Sequence, residues 1–504
     1  MNKFKKSLII HPFLFAIIPI LYFLTLMIEI PFEYLAFSIF IVIVIILFFI
    51  MFLKWITKDY LKSGIIISFL LMLFTGYGFS YLEFAGDKIL DSEISINLLL
   101  VILFSIIFVV GNYSIVKTNR KLNNISSLLN VISVGITVSI IFFISISDNG
   151  ETEIYKNENF ELLLLPNIEQ ENLPDIYYII LDEYAGFTSL QNNFGFDNSE
   201  FYSTLSQIGF IMPEINYSNY PYTILSVPSI LNMQYMNFLE KEIGVESSDN
   251  RPITEILENN LVMKNLDKKG YHIVSVYAGT DAAGSNQFVD EKLCEKEHFQ
   301  NQLKTIINKS TSGIFFESLN SNDLKKDEIQ CAFLEIPKIK NKTTQPIFVY
   351  AHMALPHSPF VFDENGNSVS VSTKTNNDEM IKKLYLDQLK FTNKKTIELV
   401  ESILSKSENP PIILIQSDHG ERTGIDWEDP TNDMLKQGFN NLNAYYLPNS
   451  NENLIYDSIS PVNSFRLIFN EYFNADFDFI EDKHYWLISD KNPYETREVT
   501  ENLN

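Results

Sequence analysis

Basic residues and histidine are scarce in this 504-residue chain: 38 Lys and Arg stand against 62 Asp and Glu, and there are seven His. The resulting formal charge of −24 argues against a nucleic-acid partner, because an acidic surface repels a phosphate backbone. Cysteine is scarcer still. Cys294 and Cys331 are too few for a zinc cluster, and neither has the neighbours of a nucleophile. No internal repeat is visible, and no small-residue cleavage site follows the first apolar run, so that run is not read as a removable signal peptide.

Apolar length is abundant by contrast, and it is concentrated in the first 150 residues. Five runs lie at roughly 8–28, 34–54, 64–82, 96–116 and 126–147. Each is close to the ~20 residues that a helix needs to cross ~30 Å of hydrocarbon. Lys3, Lys5 and Lys6 precede the first run, Lys54, Lys58 and Lys62 follow the second, and Lys117, Arg120 and Lys121 follow the fourth. The alternate loops carry Glu29, Glu33, Glu83, Asp87, Asp91 and Glu93, with Lys88 as their one base. By the positive-inside rule the amino end is cytoplasmic. Residues 1–148 are therefore expected to be a five-helix transmembrane domain of a cell membrane, 149–173 a linker with an apolar anchoring patch at 162–165, and 174–504 an extracytoplasmic domain. A formal charge of −26 falls after residue 150, most of it read as a solvated acidic face. Both cysteines fall there too, where the redox environment permits them to pair.

From Pro174 onward, strand-like runs at 176–182, 271–278, 346–353, 411–417, 443–448 and 484–489 alternate with helical stretches. In 378–406 and 461–473, apolar residues recur three and four apart, the mark of amphipathic helices. The alternation predicts an α/β domain, a mostly parallel sheet sandwiched by helices. The polar, strand-poor stretch 285–342 is placed as an insertion over the site.

Chemistry-bearing residues gather where these strands end. The apolar run 176–181 delivers Asp182 and Glu183, and PPIILIQSDHGE delivers Asp418 and His419. Acids after a strand often cap the next helix. Two strand ends bearing carboxylates and an imidazole also supply donors of the kind that bind Zn²⁺ or Mn²⁺, ahead of Ca²⁺ or Mg²⁺. Side chains alternate along a strand, so Asp182 is favoured over Glu183 as a ligand. Thr223 and Ser226 lie at the opening of a helix-compatible run, with Pro228 close to its first turn. A hydroxyl there is an ordinary cap or, beside a metal, a nucleophile. YAHMALPHSPF adds His352, read as structural, and His357, read as a group that holds an anion or protonates a leaving oxygen.

In order, five apolar spans, LDEYA, YPYTILSVPS, AHMALPHSP and QSDHGE resemble the membrane-bound branch of the alkaline phosphatase and sulfatase superfamily. In layout the chain resembles the phosphoethanolamine transferases and the lipoteichoic acid (phosphoglycerol) synthases. The resemblance implies an alkaline phosphatase/sulfatase-like catalytic domain over 174–504, with Thr223 as nucleophile and His357 on the substrate side. It implies divalent-metal ligands at Asp182 or Glu183, Asp418 and His419. Two departures stand out. Ser226-Val227-Pro228-Ser229 is followed by Ile230, where sulfatases resembling one another carry arginine, which favours a threonine-dependent phosphotransferase. No histidine occurs in 421–450, where the transferases carry one; Asn440 and Asn441 lie near that place. The implied reaction transfers a phosphoryl-headgroup unit from a membrane phospholipid to an envelope glycan or lipid. Hydrolysis of a sulfate or phosphate ester, and non-catalytic binding of envelope lipid or glycan, are the alternatives.

Overall fold

The structure is a computed structural model that describes residues 8–24, 32–84, 96–118, 122–147, 163–166, 173–280, 286–295, 321–369, 378–450, 454–488 and 492–503. These residues fall into two compact units, one up to 147 and one from 163.

The first unit is helical: α1 (His11–Leu24), α2 (Phe32–Thr57), α3 (Tyr60–Phe84), α4 (Ile96–Lys117) and α5 (Asn123–Ser147). A helix satisfies its own backbone polar groups, which is what an apolar run in lipid requires. Four of these helices contain segments long and apolar enough to cross a membrane: Leu35–Thr57, Tyr60–Tyr77, Leu99–Lys117 and Asn123–Ile144. The apolar part of α1 is shorter, and residues 25–28 of its expected span lie outside the described residues. The unit exposes many apolar side chains, and its interior holds a few polar ones beside apolar clusters such as Phe15, Ile65 and Leu129. Phe48, Val109 and Val131 are exposed, whereas His11 is buried against Ser68 Oγ at 2.5 Å and Ser126 Oγ at 3.3 Å.

The second unit is built on a six-stranded sheet of β1 (Ile176–Leu181), β2 (His272–Ala278), β3 (Glu291–Leu293), β4 (Ile347–Met353), β5 (Ile412–Gln416) and β6 (Asn443–Tyr446). Its order is β3-β2-β4-β1-β5-β6, parallel except for β6. β1 and β4 are buried along their whole lengths, as strands covered on both faces must be. Alternation sorts their side chains. Tyr177, Ile179 and Leu181 face a core shared with α8 (Asp378–Lys406) and α7 (Ser321–Glu335). Tyr178 and Ile180 face α6 (Thr223–Leu231) and α9 (Ser464–Phe473).

Two details differ from expectation. The run at 484–489 leaves the main sheet: β7 (Tyr485–Leu487) pairs antiparallel with β8 (Thr496–Glu498). The stretch 285–342 also contributes to the sheet, because β3 pairs in parallel with β2 as an edge strand. A disulfide joins Cys294, just after β3, to Cys331 in α7. The anchoring patch is docked: Leu163 is buried in the α6-side core, and Asn265 bonds both the Leu165 N–H and the Leu163 carbonyl at 2.9 Å.

Candidate metal and nucleophile site

β4, β1 and β5 are adjacent and parallel, so their carboxyl ends open on one crevice. Period-two alternation then decides what enters it. Asp182 continues the parity of Tyr178 and Ile180, His352 that of Phe348 and Tyr350, and Asp418 that of Ile412 and Leu414, all on the α6 face. The first residue of α6 is Thr223, after an extended Tyr222.

Thr223 Oγ1 donates to Asp418 Oδ2 at 2.6 Å and lies 3.3 Å from His419 Nε2. His419 Nε2 is 3.4 Å from Asp418 Oδ2 and 3.9 Å from Asp182 Oδ1. His419 Nδ1 faces the Gly420 carbonyl at 2.8 Å, so the hydrogen sits there and Nε2 keeps its lone pair toward the cluster. Burial lowers the His419 imidazole to about 4, so it is neutral near pH 7. Against the cost of burial, the His419 and His352 imidazoles, the Thr223 hydroxyl and the Glu183 N–H hold Asp418 at about 2. Burial, then the charge of Asp418, push the Asp182 carboxyl up.

Asp182, Asp418 and His419 offer ligand atoms within 4.8 Å of one another, all buried. Asp182 Oδ1 has no hydrogen-bond partner. Two buried carboxylates beside a lone-pair nitrogen, with one oxygen unspent, fit a divalent cation, which removes the mutual repulsion of the carboxylates.

Glu183 stands outside this group. Its backbone lies in the left-handed region at φ 60°, where its N–H donates to Asp418 Oδ1 at 3.2 Å and Tyr385 OH donates to its carbonyl at 2.9 Å. The turn sends its carboxylate elsewhere: Oε2 is 3.4 Å from His357 Nε2, and Oε1 accepts from Arg422 Nε at 3.2 Å. Ser226 is buried and donates to the Asp418 carbonyl at 2.5 Å, bracing the strand end. Pro228 sits in the second turn of α6. Asn440 and Asn441 are committed to backbone: Asn440 Oδ1 accepts from the Ser189 N–H at 2.9 Å, and Asn441 donates to the Ser417 carbonyl at 2.7 Å. Gly420 is required by close approach, since a Cβ there would meet the Gln437 and Asn440 carbonyl oxygens.

Three residues at the site were not singled out from the sequence as part of it. His352 is buried with both ring nitrogens unpartnered, and Nε2 lies 3.8 Å from Asp182 Oδ2 and 3.9 Å from Asp418 Oδ2. Lys325, on α7, donates to the His357 carbonyl at 2.8 Å and the Pro359 carbonyl at 3.1 Å. Arg422 lies two residues past the Asp-His-Gly turn, against Glu183 and over the Tyr222 ring at 4.6 Å. A signal existed for His352, whose parity matches Asp182 once β4 is placed beside β1 in register.

The sequence profile of the Sulfatase family matches residues 174–456, more than half of the chain. The chain belongs to the sulfatase family. Its second unit is thus a sulfatase-superfamily catalytic domain. No curated protein matches the chain. Among solved structures, it is similar to the C-terminal periplasmic domain of EcEptC from Escherichia coli in complex with Zn, at 12% identity and TM-score 0.43, over 62% of this chain and 86% of that one. The corresponding domain of phosphoethanolamine transferase EptC from Campylobacter jejuni is similar at 13% identity and TM-score 0.39, over 62% and 92%. The integral membrane lipooligosaccharide phosphoethanolamine transferase A from Neisseria meningitidis is similar at 12% identity and TM-score 0.35, over 69% and 68%.

Proposed function

We propose that this sulfatase-family protein is a five-span, extracytoplasmically oriented transferase that moves a phosphoryl-headgroup unit from a membrane phospholipid to an envelope glycan or lipid through Thr223. The observation that carries the reading is the Thr223 hydroxyl, at the amino end of a helix, bonded at 2.6 Å to a carboxylate of the buried Asp182, Asp418 and His419 group.

Asp182, Asp418 and His419 would hold Zn²⁺ or Mn²⁺, which on binding would lower the pKa of the adjacent hydroxyl and offset charge on the phosphoryl oxygens. In the first step Thr223 Oγ forms a bond to phosphorus, the bond from phosphorus to the diacylglycerol oxygen breaks, and that oxygen takes a proton. Asp418 Oδ2, the acceptor of the Thr223 hydrogen bond, aims the hydroxyl oxygen, and the proton that Thr223 gives up passes to solvent. His357, held by Glu183, is the donor to the departing oxygen. In the second step an acceptor hydroxyl gives its proton to His357 and bonds to phosphorus, the phosphorus–Oγ bond breaks, and Thr223 recovers from solvent the proton it gave up. Hydrolysis is the same sequence with water as acceptor. The apolar helices favour the lipid reading, because they anchor the chain in the bilayer that the donor cannot leave.

The test is peptide mapping of full-length protein from its native membrane. A mass increment on Thr223 is expected, its size naming the headgroup unit, with none in Thr223→Ala and with transfer lost. Thr223→Ala that retains full transfer overturns the reading. Release of free headgroup phosphate with no modified acceptor reassigns the enzyme to hydrolysis.

A further inference from the structure

Arg422 is paired in an unusual way. Only Nε engages the Glu183 carboxylate, and the same Oε1 also accepts from the Arg422 backbone N–H at 3.2 Å. An arginine that serves a carboxylate alone commonly presents two parallel N–H groups to it. Here the carboxylate holds the root of the guanidinium, and among the described residues neither terminal nitrogen has a hydrogen-bond partner. The guanidinium carbon lies over the Tyr222 ring, and Tyr222 packs in turn on Trp427 with ring centroids 4.6 Å apart. The side chain is four-fifths buried, and the part left open keeps four N–H donors within reach of whatever enters the site.

These residues line one cavity of about 510 Å³, with Glu183, Tyr222, His357, Arg422 and Trp427 on its wall. His357 and Arg422 hang from the two oxygens of a single carboxylate, which fixes their separation. Tyr222 precedes Thr223, and the charge of Arg422 is felt at Asp182, Asp418 and His419. A fork of rigid, uncommitted donors facing a cavity beside a nucleophile suits a tetrahedral oxyanion.

We infer that Arg422 is an anion-binding residue whose terminal nitrogens seat the non-bridging oxygens of the transferred phosphoryl group, with Glu183 and Tyr222 holding the guanidinium in place. The inference rests on the phosphoryl-transfer reading and adds the residue that selects the anion. Uptake of the donor therefore depends on Arg422, whereas formation of the metal group does not.

The probe is inorganic phosphate, titrated calorimetrically into full-length Thr223→Ala protein in detergent, with metal content and thermal midpoint measured on every sample. Adding Arg422→Gln is expected to weaken phosphate binding about tenfold or more, and Arg422→Lys, which keeps the charge and loses the fork, to weaken it less, metal content being unchanged. Should the Gln variant not fold, the Lys variant carries the decision: about threefold or greater weakening supports the inference, and unchanged affinity overturns it. Phosphate bound equally well by a folded Gln variant, or not bound by the Arg422 parent, overturns it too. The two readings fail separately: an adduct on Thr223 beside an indifferent Arg422 sinks the inference alone. An Arg422-dependent phosphate site with Thr223→Ala fully active in transfer sinks the covalent reading alone.

Discussion

Lys325 shows how one side chain can act on the site without entering it. Its ammonium is buried beneath the loop that carries His357 and bonds the His357 and Pro359 carbonyls. Burial lowers it to about 8, against the opposing pull of Asp182 and Glu183. The protonated form grips those carbonyls best, so its hold weakens as pH rises through about 8. The expected kcat/KM profile therefore has an alkaline limb near pH 8 that moves upward in Lys325→Arg. In Lys325→Met that limb disappears and activity at pH 7 falls about tenfold. A limb unchanged in both variants assigns it to another group. Neither Lys325 nor Arg422 could be read from the chain: one lies on a helix in a polar, strand-poor stretch, the other two residues past a turn, and neither falls in a recognisable pattern. Asp182 and Asp418 were legible because a buried strand announces its own end. Alternation also favoured Asp182 over Glu183, whereas the face that Asp182, Asp418 and His352 share required knowing which strand lies beside which.

At the scale of elements, α7 is fastened to the sheet edge at one point by the Cys294–Cys331 disulfide, and it also carries Lys325. Opening that bond frees the helix from β3, and a loop of this length is worth about 2–4 kcal/mol. Cys294→Ser/Cys331→Ser, or reductant on the wild type, should lower the thermal midpoint and reduce kcat/KM. Adding Lys325→Met to the serine pair should cost little further activity, because both changes release the same loop. Fully additive losses would show that the two act apart. The pairing agrees with the expectation drawn from compartment and count, but β3 itself was hidden. Three residues, Glu-Lys-Leu, have no alternation long enough to register as a strand, and only pairing with β2 makes them one. The run at 484–489 misled in the opposite direction: its aromatic and aliphatic content is strand-like, but no free edge of the main sheet takes it, and it pairs locally with 496–498 instead.

At the scale of the molecule, the catalytic unit begins earlier than its first strand. Leu163 packs into the α6-side core, Asn265 holds its backbone, and Lys269 donates to the Pro166 carbonyl at 2.7 Å. A chain starting at residue 160 should therefore melt several degrees higher than one starting at 174, because the shorter one uncovers the apolar surface beneath Leu163. Equal midpoints would mean that the patch is not part of the fold. The apolar helices were legible from their runs, and the α/β class from the alternation. The patch itself was visible as a short apolar island, but not what it lies on.

The strand order has a consequence for how the molecule comes into being. β1 is the first strand made, yet its neighbours are β4 and β5, with Ile176 paired to Phe348 and to Ile412. Until residue 416 has been synthesised, the centre of the sheet has one bare edge, and until 353 it has two. Such separations carry a large loop-closure cost and slow folding, and they leave IYYIIL open to mispairing while the ribosome is still at work. Bringing this protein to its native state is therefore a problem of delay: whatever shields that hexapeptide during the wait governs the yield.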